Sequence, residues 1–427
     1  MSTSLPTSNL PASQLWFVDG GAYDLREWVD EHPGGREALR LVQGTNCTEL
    51  FHTYHLMRGP SKARLARYEV AVDRTDPEMI ERLGGSHFTF DKPGLYKTIE
   101  KRARKYFRDT NQTAGASPAW QAAAVASILL TIGLAIPAYV FGNVWAALAM
   151  GLARAMTSVG PGHSMSHFAL FPRGNYNSNI FRFVSPFLVS TWTIWTNTHV
   201  RSHHVSTLTP IDLQDNYPLK RVQPALEHRS WHKAQHLYIW PIYLLALPLW
   251  ATQDFLESVV SLFTPKYMRH PYPFRRRLEN VLAIGFNLLF TVAMPFFFLD
   301  WNTALTVCLI VNAVSSPLVV LQIVVNHEVP DTMGQVTAGK PLDWGAHQVL
   351  TSHNYAVNSR LALHLSGGLN MQVEHHLFPR VHYTHYPALS EIVQEACAEY
   401  GLPYHASADI WEAISKHYRI LKLNSVP

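Results

Sequence analysis

Histidine supplies the first chemical lead. The chain carries 23 histidines against 35 lysines and arginines, and several fall into three tight groups. These are His163-Ser164-Met165-Ser166-His167, His199-Val200-Arg201-Ser202-His203-His204 and Gln372-Val373-Glu374-His375-His376. On a helix, residues four apart stack on one face, so His163/His167 and His199/His203 can each aim two imidazoles at one point. Gln372 with His375 and His376 repeats that geometry at i, i+3 and i+4. A lone histidine at a membrane interface is usually structural or solvated, but three groups near a bilayer are costly unless they bind something. The seven histidines of these groups exceed the four ligands of a zinc site, so more than one metal ion is implied. Imidazole suits iron, copper, zinc and nickel alike, which leaves the metal open. The absence of HExxH argues against a zinc protease.

A second lead lies near the N-terminus. His32-Pro33-Gly34-Gly35 breaks the chain sharply after Val18-Asp19-Gly20-Gly21-Ala22-Tyr23-Asp24-Leu25, and Cys47-Thr48-Glu49-Leu50-Phe51-His52-Thr53-Tyr54-His55 follows. The remaining histidines read as lesser candidates. His228, His232 and His236 share one helical face at i, i+4, i+8 and are expected at an interface beside Trp231 and Tyr238. His353, His382 and His385 lie near the third group.

The elements that must position these residues are membrane helices. Residues 119–142 are apolar and uncharged, long enough at about 1.5 Å per residue to cross roughly 30 Å of hydrocarbon. After Gly142-Asn143, residues 144–160 form a shorter candidate that carries Arg154. Residues 281–299 and 303–325, separated by Asp300-Trp301-Asn302, make a second hairpin, for four expected spans. Basic clusters at 101–108 and at Arg275-Arg276-Arg277 precede the two hairpins. The positive-inside rule puts both clusters, and hence all three histidine groups, on the cytosolic side. Residues 180–195 and 237–250 are shorter and Trp-rich, and are read as interfacial.

Composition agrees. The net charge of +4 is too small to argue for nucleic acid. The 12 Trp, 18 Tyr and 20 Phe suit a membrane interface. Cys47, Cys308 and Cys397 are far apart with no CxxC pair, which fits a reducing compartment. Residues 1–14 are polar and do not read as a secretory signal.

The three boxes in this order, with the run from Gly367 to Pro379, resemble the membrane fatty acid desaturases; the Gln opening the third box resembles the front-end group. The N-terminal segments are similar to the cytochrome b5 fold. The resemblance spans nearly the whole chain and implies a mostly α, four-span transmembrane di-iron desaturase fold with a small α+β cytochrome b5-like domain in front. The expected domains are residues 1–80 (haem), 81–118 (linker and approach to the membrane) and 119–427 (membrane desaturase). It further implies two iron ions, with His163, His167, His199, His203, His204, His375 and His376 as ligands and His327 as one more. Gln372 takes a slot held by histidine in other branches, as a weak ligand or an outer partner.

Haem b would sit between His32 and either His55, the preferred second ligand, or His52; two axial histidines suit electron transfer because no position is open to oxygen. Front-end members usually have Asp where this chain has Ser164, which can hydrogen-bond but cannot polarise an imidazole as a carboxylate does. The implied activity is O2-dependent desaturation of an acyl chain on CoA or a phospholipid, with electrons from a separate NAD(P)H-dependent cytochrome b5 reductase. In a eukaryote the endoplasmic reticulum is the expected membrane. Other readings on the same ligands are a hydroxylase or acetylenase, a sphingolipid long-chain-base desaturase, or a haem electron carrier with structural metal.

Overall fold

The computed structural model describes residues 5–56, 62–84, 86, 88–214, 218–264, 272–332 and 342–427. Residues 1–4, the start of the expected haem domain, lie outside these. The described chain is mostly helical.

The N-terminal module is built on a three-stranded antiparallel sheet of Trp16–Val18, Gly21–Tyr23 and Glu69–Val70, in that order. Asp19 and Gly20 both take positive φ, 49° and 77°, which is the conformation a two-residue hairpin turn requires. Helices Arg36–Leu41 and Thr48–Tyr54 pack on the sheet and carry the two histidine segments at their edges. Trp16, Val18, Tyr23, Leu25 and Leu41 share a buried cluster with Val200 from the second histidine box, so the module is packed against the larger domain.

Three helical stretches are long and apolar enough to cross a membrane: Pro118–Val140, Phe274–Phe297 and Trp301–His327. Ser117 caps the first through the Trp120 N–H, and Asp300 caps the third through the Asn302 and Thr303 N–H groups. Only 33% of the first two windows is buried, and exposed Leu129, Leu130, Phe141, Leu282 and Phe297 form an outer face suited to lipid.

The expected second span does not qualify by length and apolarity, so three candidate spans stand against the four expected among the described residues. Its α-helix, Val144–Thr157, has 14 residues and then loosens into the π turn Ser158–Gly162 around Pro161. Arg154 lies within this helix. It is 1% exposed and donates to Leu188 O at 2.8 Å and to Asn312 Oδ1 and Ser315 Oγ at 3.1 Å. A charge so enclosed faces protein rather than lipid. Gly151 permits that packing, because a Cβ there would lie 2.8 Å from Val314 Cβ. The helix therefore lies along Trp301–His327 and delivers His163 to the same end of the bundle as His327.

A cap of Leu95–Thr110, Trp344–Leu350, Gln372–Leu377, Tyr386–Glu399 and Ile410–Leu423 covers that end. The segment read as a linker contributes one of its core helices: Leu95, Tyr96, Ile99, Ala103 and Phe107 are buried with Trp344, Val373, Leu377 and Leu389. The shorter apolar stretches 180–195 and 237–250 fall on helices outside the three candidate spans.

Candidate metal centre and haem pocket

Each box is carried by a short or irregular helix. The first opens Ser158–Gly162 into His163–Ser166, the second lies on the π turn Thr196–His203 and on His204–Ser206, and the third on Gln372–Leu377. The wider π turn rotates successive side chains away from strict i, i+4 stacking. That splits the second box between two clusters. His163, His167, His199, His204 and His375 form one; His203, His327 and His376 form the other. All eight are buried, with ligand atoms in each cluster within 4.8 Å of one another.

The nitrogens converge. His163 Nε2 lies 2.9 Å from His199 Nε2, which lies 3.2 Å from His204 Nε2; His203 Nε2 lies 3.2 Å from His327 Nε2. Two imidazoles bound to one ion at about 2.1 Å hold their nitrogens about 3 Å apart. The Nε2 atoms of His167, His375 and His376 are buried with no hydrogen-bond partner among the described residues. Burial pushes His163 down to about 3 and His167, His199, His204, His375 and His376 well below the usual range, so these rings are neutral and keep a lone pair. The donor set fits two first-row metal ions. Gln372 joins the smaller cluster, its side-chain amide 2.9 Å from His327 Nε2.

The opposite nitrogen, Nδ1, is engaged on most of these rings. With Nε2 facing the centre, Nδ1–H donates to Tyr54 Oη from His167 (2.9 Å), to Asp212 Oδ2 from His203 (2.9 Å) and to Thr351 O from His327 (2.8 Å). It donates to Tyr386 Oη from His375 (3.2 Å) and to Gln348 Oε1 from His376 (2.7 Å), while Gln214 lies 3.1 Å from His199 Nδ1. Such partners fix the tautomer and the ring plane. Burial alone would raise Asp212, but the neighbouring His203 lowers it overall, so it is an anionic partner.

Sequence reasoning missed Asp212, Gln214, Gln348, Tyr386 and Tyr54 as partners. Asp212, a carboxylate nine residues after His203, left the only readable trace; the others have no local pattern. A carboxylate stands behind His203, and Ser164 is buried on the first box. His228 and His232 face the backbone carbonyls of Ser425 and Pro218 at 3.0 and 2.9 Å, and 3-10 helix Ser230–Ala234 interrupts their shared face. His353 bonds Ser407, and His382 bonds Thr384, both at 2.9 Å.

A cleft of about 630 Å³ opens in the N-terminal module between His32 and His55. Their ring centres are 6.1 Å apart, close to the span of two imidazoles on opposite sides of one iron, about 6 Å by the same bond length. His32 Nδ1 faces Gly35 O and His55 Nδ1 faces Phe51 O, which leaves both Nε2 atoms for the cleft. Leu39, Leu41, Val42, Leu50 and Phe51 give it apolar walls. A bis-imidazole haem fits these residues. His52 instead meets Asp19 at 3.0 Å and stacks on Phe90.

A second cleft, of about 600 Å³, runs beside the metal centre. Val159, Leu188, Val189, Val319, Ile323 and Leu369 line it together with His163, His199, His203 and Gln372.

Residues 139–408 match the fatty acid desaturase family, and residues 6–74 match the cytochrome b5-like haem/steroid binding domain. The chain is 28% identical to Delta(5) fatty acid desaturase A of Dictyostelium discoideum, over 95% of this chain and 89% of that one. It is 27% identical to acyl-lipid (8-3)-desaturase B of the same organism, over 96% and 91%. With the acyl-lipid (8-3)-desaturase of Mortierella alpina it shares 26%, over 98% and 95%. No solved structure matches the chain.

Proposed function

Since the chain belongs to the fatty acid desaturase family, we propose that it desaturates an acyl chain at a two-iron centre fed by its own haem domain. The observation that carries the proposal is the meeting of eight buried histidines from four separated segments in two adjoining clusters. One iron is held by His163, His167, His199, His204 and His375, the other by His203, His327 and His376 with Gln372. Haem b is held by His32 and His55 within residues 1–80, and residues 119–427 form the membrane desaturase domain. When bound, the irons supply the oxygen chemistry that removes two hydrogens from neighbouring carbons, and the haem supplies electrons; no side chain can do either.

The chain's own residues do the rest. An alkyl chain offers no polar handle, so the aliphatic walls of the second cleft hold it by burial, at roughly 0.8 kcal/mol per methylene. His163, His199, His203 and Gln372 reach that cleft, so the held chain passes the metal ligands. Tyr54, Asp212, Tyr386 and Gln348 keep the Nδ1 atoms of His167, His203, His375 and His376 protonated and their Nε2 atoms aimed at the centre. The relatives' names support a lipid-borne acyl chain and a front-end position. The cytosolic face of the endoplasmic reticulum, with a separate cytochrome b5 reductase, completes the proposal for a eukaryotic source.

Expression in a host of known lipid content, followed by acyl-chain profiling, tests this reading. New double bonds are expected from the wild type and none from a His375→Ala/His376→Ala variant. An unchanged profile from protein that contains both haem and iron would overturn it, and a hydroxylated product would move the reaction to the alternative outcome on the same ligands.

A further inference from the structure

The haem cleft is not walled by the N-terminal module alone. Phe168, Val200 and Arg380 of the larger domain also line it. Phe168 follows His167, Val200 follows His199, and Arg380 lies just beyond the third box. The two sites therefore share backbone: one side of these segments faces the haem cleft and the other carries metal ligands. Tyr54 crosses the gap. It lines the haem cleft beside His55, its carbonyl accepts from Arg380 at 3.3 Å, and its hydroxyl lies 2.9 Å from His167 Nδ1.

We infer that Tyr54 couples the two sites, as a positioning residue whose ring is held by haem and whose hydroxyl orients His167. The inference rests on the ligand assignment proposed above. With His167 Nε2 turned to the metal, Nδ1 carries the proton and donates it to Tyr54 Oη. A haem lying between His32 and His55 packs against the residues of the cleft, Tyr54 among them, and restricts its ring. The hydroxyl is then held where His167 needs its partner. With the haem pocket empty the ring has space to turn, and His167 loses part of its restraint.

The docking contacts keep this geometry in place. Glu37 of the N-terminal module receives Arg182 at 2.9 Å and Arg276 at 2.9 Å, and the Arg36 N–H donates to Asn175 Oδ1 at 3.0 Å. Gly174 lies so close to the HPGG turn that a Cβ there would sit 1.8 Å from Gly34 O. The module is thus held at a fixed distance from the first two boxes, which lets one side chain serve both sites.

Linkage makes the inference measurable, because a coupling between two binding sites is reciprocal. The full chain, purified with and without haem, is titrated with Co2+ in competition with a chelator. In the wild type, haem is expected to raise Co2+ affinity about fivefold or more, the lower end of ordinary site coupling. Tyr54→Phe keeps the ring but removes the acceptor. It is expected to weaken Co2+ binding about tenfold, as loss of an outer partner does, and to bring the haem effect to near unity. Tyr54→Gln returns an acceptor without the ring: affinity recovers in part while the haem effect stays lost. The ratio with and without haem is insensitive to a general loss of stability, and no turnover enters it. Failure here is therefore distinct from failure of the desaturase reading. An equal ratio in wild type and Tyr54→Phe, or a wild-type ratio of one, would overturn the inference.

Discussion

The two histidine clusters lie side by side yet are supported differently. The five-histidine cluster is backed by neutral groups: Tyr54 behind His167, Tyr386 behind His375 and Gln214 beside His199. The three-histidine cluster has fewer imidazoles, completes its set with the Gln372 amide, and has the anion Asp212 behind His203. A carboxylate raises the basicity of the imidazole that donates to it, whereas a phenol or amide mainly fixes its direction. The comparison teaches that the cluster with fewer histidines has the stronger electrostatic support, from Asp212.

Removing a histidine from the middle of the five-histidine cluster breaks one half of the comparison. His199→Ala deletes the ring that meets both His163 and His204. Metal content should fall to background at the five-histidine cluster, and desaturation should drop by more than about 100-fold, beyond the usual loss for an outer partner. Metal analysis and lipid profiling read both.

Asp212→Asn isolates the charge. The amide can still accept from His203 Nδ1, so direction is retained while the anion is lost. Affinity of the three-histidine cluster for metal should fall about 10-fold or more, against a smaller loss for Tyr386→Phe at the other cluster. Comparable losses in the two variants would remove the distinction between charged and neutral support.

Gln372→His converts three imidazoles into four. A tighter second metal, by about 10-fold in a chelator competition, is the expected result, with Gln372→Ala moving the other way. Equal affinity across all three would leave Gln372 no part at the metal.

The smallest effect separates ligand from non-ligand histidines by pH. Burial holds His382 down to about 3, against about 6.5 in an unfolded chain. The folded protein then binds fewer protons than the unfolded one between those values. Stability rises with pH across that window and is lost as pH falls through it. Metal-free His382→Asn should show a flatter dependence of its thermal midpoint between pH 6.5 and the acid limit, and metal loading should leave the His382 contribution unchanged. A midpoint curve parallel to the wild type would contradict the assignment.

Much of the metal centre was legible in the sequence because metal binding needs particular side chains and helices repeat at fixed intervals. HxxxH on a helix face is visible without coordinates, and so are HPGG, the later His55 and the long apolar runs. Arg154 shows the limit of that reading. A charge in an apolar stretch looks the same in sequence whether it faces lipid or is enclosed by Leu188, Asn312 and Ser315, and only the fold distinguishes them.

The sequence by itself determined which residues could bind metal and haem, since those choices follow from side-chain chemistry and short-range spacing. The tertiary structure decided how the histidines are divided. His203 and His204 are neighbours in the chain yet join different clusters, because the π turn ends at His203 and an α-helical turn begins at His204. It also decided which groups stand behind them. Tyr54 reaches His167 and Tyr386 reaches His375 through packing of distant segments, and no local pattern encodes a contact that exists only when those segments meet.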